Sequence, residues 1–293
     1  MKVGIDIGGT KVSIGLIEDV RIIGQAQRFL ISDCHSGEDL VSRIKIEIDQ
    51  LIIQNHIDWS KITGIGVGTP GPLNFKTGII LRPPNLPMLW NYPLRSALLE
   101  RTGIGTAVNN DANCFALGEQ KAGEGRGLEY VLGITIGTGF GAGFVYYGTI
   151  YNGATGTGLE FGQTPYREGV LEDYISGRGI AAIYAGITNN SRPGREISRM
   201  AEDGDRDALQ AWRIFGDHLA YALIILTNVL DPDCIVIGGS GAAGFPHFRK
   251  SLEERFRKGV HEQPRRHVLI KCSRLGEEAA IIGAACLRDG PGL

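Results

Sequence analysis

The sequence has few cysteines, and none of them are spaced to hold a metal ion or a disulfide framework. Five cysteines are scattered among apolar residues, and no C-x-x-C pair occurs; they are Cys34, Cys114, Cys234, Cys272 and Cys286. An odd, scattered set of this kind indicates reduced thiols and a cytoplasmic protein. Because no C-x-x-C pair occurs, the sequence does not suggest a zinc knuckle.

The chain also lacks an excess of charge and a long apolar run. Its formal net charge is −2 over 293 residues, so no overall field attracts nucleic acid or an anionic membrane. The longest apolar stretch, around residues 219–230, is interrupted and too short to cross a bilayer. Because Met1-Lys2-Val3 already begins a strand, we expect no signal peptide and a cytoplasmic location.

Several catalytic signatures are missing. The sequence contains no P-loop motif, and its six histidines form no cluster with the spacing of metal ligands. No Ser-His-Asp arrangement supports hydrolysis by a serine nucleophile. An anionic ligand would therefore have to be held by local donors rather than by one of these devices.

Glycine, by contrast, is abundant, with 43 residues in the chain. The segment Asp6-Ile7-Gly8-Gly9-Thr10-Lys11 lies between two short apolar runs and predicts a tight hairpin. We expect its two glycines to turn with positive φ and to let an anion approach the backbone. Thr10 and Lys11 add a hydroxyl donor and a positive charge, so the turn is a candidate phosphate loop.

The same pattern returns in the second half of the chain, at residues 132–141. Four residues of the first copy align without a gap on four of the second: Gly4, Ile5, Ile7 and Gly8 on Gly133, Ile134, Ile136 and Gly137. A repeated unit of strand, glycine turn and strand indicates two related halves, each with a phosphate loop that faces one cleft.

The order of apolar patterns predicts an α/β protein. Each half begins with strands and continues with alternating helices and strands, including a helix over 36–55 and a long helix over about 205–230 that ends before Pro232. No Pro-rich or Ser-rich linker separates the halves. We place the boundary at residue 110, with a smaller domain at 1–110 and a larger one at 111–276. The closing helix, at about 277–293, packs on the first domain in this prediction.

A polar cluster, Asn109-Asn110-Asp111-Ala112-Asn113, follows a predicted strand and opens a helix. Polar side chains at this place face the crevice of an α/β protein. The asparagines can hold a polyol and leave the Asp111 carboxylate to accept a proton. The alternative is that Asp111 only caps the helix.

Three further segments carry polar groups. Glu160, Gln163 and Glu172 could bind sugar hydroxyls, each of which donates and accepts, although ordinary loop polarity explains them as well. Asn85 lies in a rigid proline-flanked loop that could present an amide to the same ligand.

The segment 239–244 matches G-x-G-x-x-G, but it does not predict a dinucleotide site. Such a site requires an acidic residue at the end of the next strand, and the strand at 268–272 is followed by Ser273-Arg274. A loop that accommodates adenine or ribose, or plain packing, fits better than NAD binding.

Taken together and in this order, the motifs resemble the ROK sugar kinases of the actin-like and hexokinase-like ATPase superfamily. The resemblance covers nearly the whole chain, and the matching segments are Asp6–Lys11, Gly68–Pro72, Asn110–Asn113, Gly137–Gly141 and Ile237–Ser240. It implies two actin-like (ribonuclease H-like) halves with mixed five-stranded sheets flanked by helices. It also implies an active-site cleft between the halves, bound Mg²⁺ with ATP, and a homodimer.

The resemblance implies roles for individual residues. Asp111 matches the catalytic base, which takes the proton from the 6-hydroxyl of the sugar. The implied sugar contacts are Asn85, Asn110, Glu160 and Glu172. The implied nucleotide and phosphate residues are Asp6, Gly8, Gly9, Thr10, Lys11, Gly137, Thr138, Gly139, Gly238 and Gly239.

The chain departs from the family pattern in one region. The family usually has a histidine where this chain has Gln163, followed by cysteines of a structural zinc site, and the segment 164–170 has no cysteine. We therefore predict that no zinc is bound, because zinc needs thiolate or imidazole ligands. Gln163 can still bond a hydroxyl, so it remains a predicted sugar contact.

The sequence thus predicts an ATP-dependent hexokinase of glucokinase type. An N-acetylhexosamine kinase, for N-acetylmannosamine or N-acetylglucosamine, is the alternative within the enzymes, and polyphosphate is an alternative donor. A catalytically silent sugar-sensing protein is the alternative from another class. The family's repressors carry a DNA-binding domain before the first phosphate loop, where this chain has five residues, so we expect no repressor.

Overall fold

The computed structural model describes residues 1–288, so the last part of the closing helix predicted at 277–293 lies outside the described residues. The strands are β1 (Lys2–Ile7), β2 (Lys11–Glu18), β3 (Arg21–Leu30), β4 (Ile65–Thr69), β5 (Leu73–Asn74), β6 (Ile79–Ile80), β7 (Thr106–Asn110), β8 (Tyr130–Ile136), β9 (Phe140–Tyr146), β10 (Thr149–Ile150), β11 (Pro165–Tyr166), β12 (Gly169–Val170), β13 (Cys234–Gly238) and β14 (Leu269–Cys272). The α-helices are α1 (Gly37–Gln54), α2 (Leu94–Thr102), α3 (Asp111–Ala122), α4 (Glu172–Ile175), α5 (Gly177–Thr188), α6 (Gly194–Glu202), α7 (Arg206–Leu230), α8 (Phe245–Gly259), α9 (Glu262–His267) and α10 (Glu278–Ala285).

Two five-stranded sheets have the same strand order. The first runs β3-β2-β1-β4-β7 and the second runs β10-β9-β8-β13-β14. In the first, β1 pairs antiparallel with β2 and parallel with β4, and β4 is parallel to β7. In the second, β13 runs parallel to both of its neighbours, β8 and β14. The prediction of two related halves with mixed five-stranded sheets and flanking helices is confirmed.

The long amphipathic helices begin where capping residues predict. Ser36 accepts a hydrogen bond from the N–H of Asp39 at the start of α1, and Asp205 accepts one from Ala208 at the start of α7. By length and composition α7 could cross a membrane, but half of its most apolar stretch is buried in the fold. Its Trp212 and Phe215 pack with Phe248 of α8, as in the core of a globular domain.

Small residues let α10 pack directly on the first sheet. A Cβ atom at Gly4 of β1 would overlap the carbonyl oxygen of Ile281, and one at Gly66 of β4 would overlap that of Ala284. Glycine is required at both positions because the helix backbone occupies the space of a side chain. The closing helix therefore lies against β1, β4 and α3.

The chain forms two compact units. Unit 1 contains Met1–Gly127, Gly143–Leu159 and residues 275–288, and unit 2 contains Leu128–Ala142 and Glu160–Arg274. The division thus differs from the expected boundary at residue 110. Helix α3 belongs to unit 1 because it packs against α10, a long-range contact that has no signature in the local sequence.

Candidate active site

Polar residues of unit 1 meet at one edge of the first sheet. Strands β1, β4 and β7 are parallel, and their register aligns Asp6 with Gly68 and Gly68 with Asn109. The carboxyl ends of these strands therefore lie together, which is where α/β proteins bind ligands. This register brings Asp6 to the same edge as Asn110, the last residue of β7, and Asp111, which directly follows it.

Asn110, and not Asp111, caps helix α3. The Asn110 Oδ1 atom accepts hydrogen bonds from the N–H groups of Ala112 at 2.9 Å and Asn113 at 3.4 Å. Asp111 is the first helical residue, and its Oδ1 accepts from Ala112 N–H at 2.8 Å. The capping alternative for Asp111 is therefore wrong. The amide nitrogen of Asn110 is left to donate to a ligand.

Burial changes the acidity of the two carboxyl groups at this edge. It raises the pKa of Asp6 to about 7, and the charge of Asp111 acts in the same direction while Lys11 opposes it. Burial also raises the pKa of Asp111, against the opposing effect of the hydrogen bond from Ala112. Carboxyl groups with a raised pKa are suited to accept a proton near neutral pH.

The turn from Gly8 to Lys11 joins β1 to β2. The N–H of Gly8 donates to the carbonyl of Lys11 at 2.9 Å, and Gly9 and Thr10 are exposed. The expected positive φ is wrong, because neither Gly8 nor Gly9 adopts it. The glycines instead leave the turn without side chains. A Cβ at Gly9 would lie 3.7 Å from the Cβ of Asn85, so the predicted Asn85 loop is adjacent to the turn.

Lys11 is held by an acidic partner. Its Nζ donates to Oε1 of Glu277, and Arg28 Nη2 lies 3.2 Å from the other oxygen, Oε2. The hydrogen bond from Lys11 is the main cause that lowers the pKa of Glu277. Asp6, Lys11, Asp111 and Glu277 thus form one charged group within unit 1.

The second glycine turn, residues 137–139, lies in unit 2. The N–H of Gly137 donates to the carbonyl of Gly139 at 2.9 Å, and Gly177 donates to the carbonyl of Gly137 at 2.8 Å. Thr138 is exposed at the tip of the turn. Backbone donors at such a turn can bind an anion.

Glu172, a predicted sugar contact, is adjacent to this turn. Its Oε2 accepts from the N–H of Phe140 at 2.8 Å, and its Oε1 accepts from Arg178 at 2.8 Å. Glu172 therefore links helix α4 to the turn. Its two oxygens retain further lone pairs for a ligand hydroxyl.

The predicted nucleotide residues Gly238 and Gly239 lie at the end of β13, beside β8: Gly238 is the last residue of the strand and Gly239 follows it. Gly239 has φ +79°, and a Cβ there would overlap the carbonyl oxygen of Ile136, just before Gly137. The register pairs Gly238 with Thr135. The two glycine segments of unit 2 are thus neighbours. Ser240–Gly244 forms a 3₁₀-helix after them.

Glu160 and Gln163 lie at the two ends of another 3₁₀ turn in unit 2. The N–H of Gln163 donates to the carbonyl of Glu160 at 3.2 Å, and both residues are exposed. A Cβ at Gly162 would lie 3.5 Å from the Cβ of Glu172, so the turn and the start of α4 are adjacent. Unit 2 thereby brings its three predicted sugar contacts into one region.

Within residues 1–288, no group of three or more His, Cys, Asp or Glu side chains is placed to hold a metal ion. The five cysteines are free thiols. The prediction that zinc is not bound stays a prediction for metal analysis.

The sequence did not reveal some partners of the site residues. Glu277 pairs with both Lys11 and Arg28, which lie in a distant part of the chain, and Arg178 pairs with Glu172. Glu277 precedes a helix, where an acidic residue is ordinary, so no local signal identifies it. Asn113 had a signal, because it belongs to the polar cluster, and its Nδ2 donates to Asn109 Oδ1 at 3.0 Å.

The chain matches the family model described as "ROK family" over residues 2–290. It is 30% identical to the glucokinase of Thermotoga maritima, over 97% of this chain and 96% of that one. It is 31% identical to an N-acetyl-D-glucosamine kinase of Salmonella paratyphi A, over 98% and 99%.

A solved structure of a ROK family glucokinase from Streptomyces griseus, in complex with glucose and AMPPNP, is also similar. Its TM-score is 0.80 at 27% identity, with 97% of each chain covered.

Proposed function

Because this chain belongs to the ROK family, we propose that it is an ATP-dependent sugar kinase that phosphorylates the 6-hydroxyl of a hexose, with glucose as its substrate. The observation that carries the proposal is the charged edge of unit 1, where Asp111 with its raised pKa lies near Asp6, Lys11 and the glycine turn. The similarity to a glucokinase over nearly the full length supports the choice of glucose.

In the proposed mechanism, Asp111 is the catalytic base. Its carboxylate orients the sugar hydroxyl and accepts the proton as the oxygen attacks the γ-phosphate. Since Asn110 already caps α3, its amide nitrogen is assigned to the sugar, and Asn85 presents a second amide. Glu160, Gln163 and Glu172 of unit 2 are assigned to sugar hydroxyls.

The phosphate groups of ATP are assigned to the backbone donors of the two glycine turns and to Lys11, and the adenosine to Gly238 and Gly239. Such donors stabilise the charge that develops during phosphoryl transfer. A Mg²⁺ ion fits the edge of unit 1, because oxygen ligands suit this ion and the pKa of Asp6 is raised partly by the charge of Asp111. Asp6 would hold the waters of the ion, which supplies charge neutralisation when bound.

A second candidate is the phosphorylation of an N-acetylhexosamine, such as N-acetylglucosamine or N-acetylmannosamine. It is supported by the 31% identity to an N-acetyl-D-glucosamine kinase. Gln163 is exposed beside the other predicted sugar contacts, where an amide could bond an acetamido group.

We also propose a cytoplasmic homodimer that binds neither nucleic acid nor membrane. The free thiols and the net charge of −2 support the location and the absence of these two partners. The dimer follows from the family resemblance, and sedimentation of the purified protein tests it.

The proposal is tested by measuring ADP release from Mg-ATP with a panel of sugars. We expect the highest kcat/KM with glucose. A higher value with N-acetylglucosamine or N-acetylmannosamine would favour the second candidate. Sugar binding without formation of a sugar phosphate, with either ATP or polyphosphate as donor, would indicate a silent sugar-sensing protein. Metal analysis of the same sample would contradict the zinc prediction if it found one zinc per chain.

A further inference from the structure

Unit 2 contains a cluster of three tyrosine side chains and one histidine. The aromatic cluster consists of Tyr166 on β11, Tyr174 on α4, and His218 and Tyr221 on α7. The ring of Tyr166 lies 5.1 Å from that of Tyr174, 5.7 Å from that of His218 and 4.8 Å from that of Tyr221. The cluster thus joins the β11–β12 hairpin to two helices.

A hydrogen bond lies within this cluster. Tyr166 Oη is 3.0 Å from His218 Nδ1, and His218 is only 5% exposed. Burial, and then the charges of Arg167 and Arg255, lower the pKa of His218 to about 4, so its ring is neutral at pH 7. A buried polar ring needs a partner, because leaving it unpaired costs its desolvation. The pair is therefore a directed link between the hairpin and α7.

The hairpin has few backbone bonds of its own. It pairs only Pro165 with Val170 and Tyr166 with Gly169, and proline has no N–H to donate. A two-stranded hairpin of this length is not stable without packing on another element. The guanidinium of Arg167 covers the rings of Tyr166 and Tyr174, at 5.5 and 5.7 Å, and closes the cluster on its outer side.

Predicted sugar contacts flank the hairpin on both sides. Gln163 ends the 3₁₀ turn just before β11, and Glu172 begins α4 just after β12. The N–H of Leu171 donates to the carbonyl of Thr164 at 3.0 Å, which fixes the two ends of the hairpin to each other. A shift of the hairpin would therefore displace Gln163 and Glu172 together.

We propose that the Tyr166–His218 hydrogen bond positions the sugar-binding residues Gln163 and Glu172 by fixing the β11–β12 hairpin to α7. Tyr166 and His218 are positioning residues in this assignment, and neither one contacts the sugar. The inference rests on the proposed function, since it assigns the consequence of the link to sugar binding.

The test compares Tyr166→Phe with Tyr221→Phe in the full chain. Both variants remove one hydroxyl and keep the ring, but only Tyr166 bonds His218; Tyr221 has no hydrogen-bond partner within residues 1–288. We expect Y166F to raise the KM for glucose about fivefold, the effect of one lost hydrogen bond, and to leave the KM for ATP within about twofold. Y221F should leave the KM for glucose and the KM for ATP unchanged. Equal KM values for glucose in the two variants would overturn the proposal.

A double-mutant cycle with His218→Phe separates the link from general packing. H218F leaves the Tyr166 hydroxyl without its partner, so we expect a similar rise in the KM for glucose. Because Y166F/H218F removes both polar groups, we expect the KM for glucose of the double variant to be no higher than that of either single variant. Independent, multiplying effects of the two changes would contradict a shared hydrogen bond.

Hydrogen exchange gives a readout that does not depend on catalysis. Y166F should speed amide exchange across residues 161–172 while α5 keeps its wild-type rate, and Y221F should change neither. Unchanged exchange at 161–172, or equal acceleration in α5, would overturn the positioning role even if Y166F is less stable. If the wild type phosphorylates no sugar while this exchange pattern holds, the proposed function fails and the mechanical link stands.

Discussion

The glycine turns of the two units share a backbone design but differ in charge. In unit 1 the turn between β1 and β2 is followed by Lys11, which is paired with Glu277, and preceded by Asp6. In unit 2 the turn at residues 137–139 contains no ionisable residue, and Glu172 accepts the N–H of Phe140 beside it. The same sheet order supports both turns. Both copies of the repeat therefore have backbone N–H donors at the turn, but only the first copy has the ion pair of a lysine beside it.

The same contrast recurs at equivalent strand positions. Asp6 of β1 aligns with Thr135 of β8, and each pairs with a glycine of the next parallel strand: Gly68 in unit 1 and Gly238 in unit 2. Strand β7 ends at Asn110 and is followed by Asp111, whereas β14 is followed by Ser273 and Arg274. A carboxylate pair thus occurs at the sheet edge of unit 1, and unit 2 supplies glycine backbone at the matching edge.

The largest expected effect comes from removing the base in unit 1. Asp111→Ala should lower kcat about 10²–10⁴-fold, the usual contribution of a general base, while the affinity for glucose changes little. Calorimetric titration of glucose and a coupled assay on the same sample measure the two quantities. Turnover near the wild-type rate would show that Asp111 is not the base.

Asp6→Asn tests the acidic edge through the pH dependence of stability. The folded pKa of Asp6 is about 7 against an ordinary 3.8, so the folded state holds the proton more tightly. The contribution of Asp6 to the free energy of unfolding is therefore greatest below pH 4. It falls as the pH rises through 7, and the total loss is up to about 4 kcal/mol. In urea unfolding without Mg²⁺, the free energy of unfolding of D6N should rise relative to that of the wild type between pH 5 and pH 8. A constant difference across this range would contradict the raised pKa.

Gly239→Ala tests the backbone of unit 2. The residue has φ +79°, and a Cβ would overlap the carbonyl of Ile136, so we expect a loss of about 3 kcal/mol in the free energy of unfolding. The matched control is Gly204→Ala, with φ +84° and no atom within 4 Å of the added Cβ, which should cost about 1 kcal/mol. Denaturant unfolding curves measure the free energy of unfolding of both variants. Equal losses would contradict the claim that a Cβ at position 239 overlaps the carbonyl of Ile136.

Glu277→Gln should have the smallest effect. The side chains of Lys11 and Glu277 are 39% and 51% exposed, so we expect a stability change of less than about 1 kcal/mol. Because Lys11 then loses the ion-pair partner that competes with phosphate, the KM for ATP should fall by about twofold. Glu278→Gln is the control, since that neighbour forms no ion pair with Lys11. A raised KM for ATP in E277Q would show that Glu277 assists the lysine.

Much of the fold could be predicted because it follows from local patterns. Apolar runs marked the strands of the two five-stranded sheets except β10, and the aligned glycines marked the repeat. The hairpins β5–β6 and β11–β12 were not predicted, since strands of two residues have no periodicity to detect. Likewise, the placement of α3 with α10 depends on packing between distant segments.

The sequence predicted which residues form the candidate site, but it did not predict the hydrogen bonds and ion pairs between them. Asp111 and the asparagines lie where the strand-to-helix junction predicts, yet the capping residue is Asn110. The glycines of the first turn were assigned a positive φ that the backbone does not adopt, because a glycine also serves where a turn must be free of side chains. The Lys11–Glu277 pair connects residues 266 positions apart, which no sequence spacing reveals.

The most direct test of the account is the identity of the product. Wild-type protein incubated with glucose and Mg-ATP should yield glucose phosphorylated at the 6-hydroxyl, with one ADP for each sugar phosphate, as measured by phosphorus and proton NMR. Phosphate at another hydroxyl, or ADP without any sugar phosphate, would contradict the claim that the charged edge of unit 1 transfers the γ-phosphate to this oxygen.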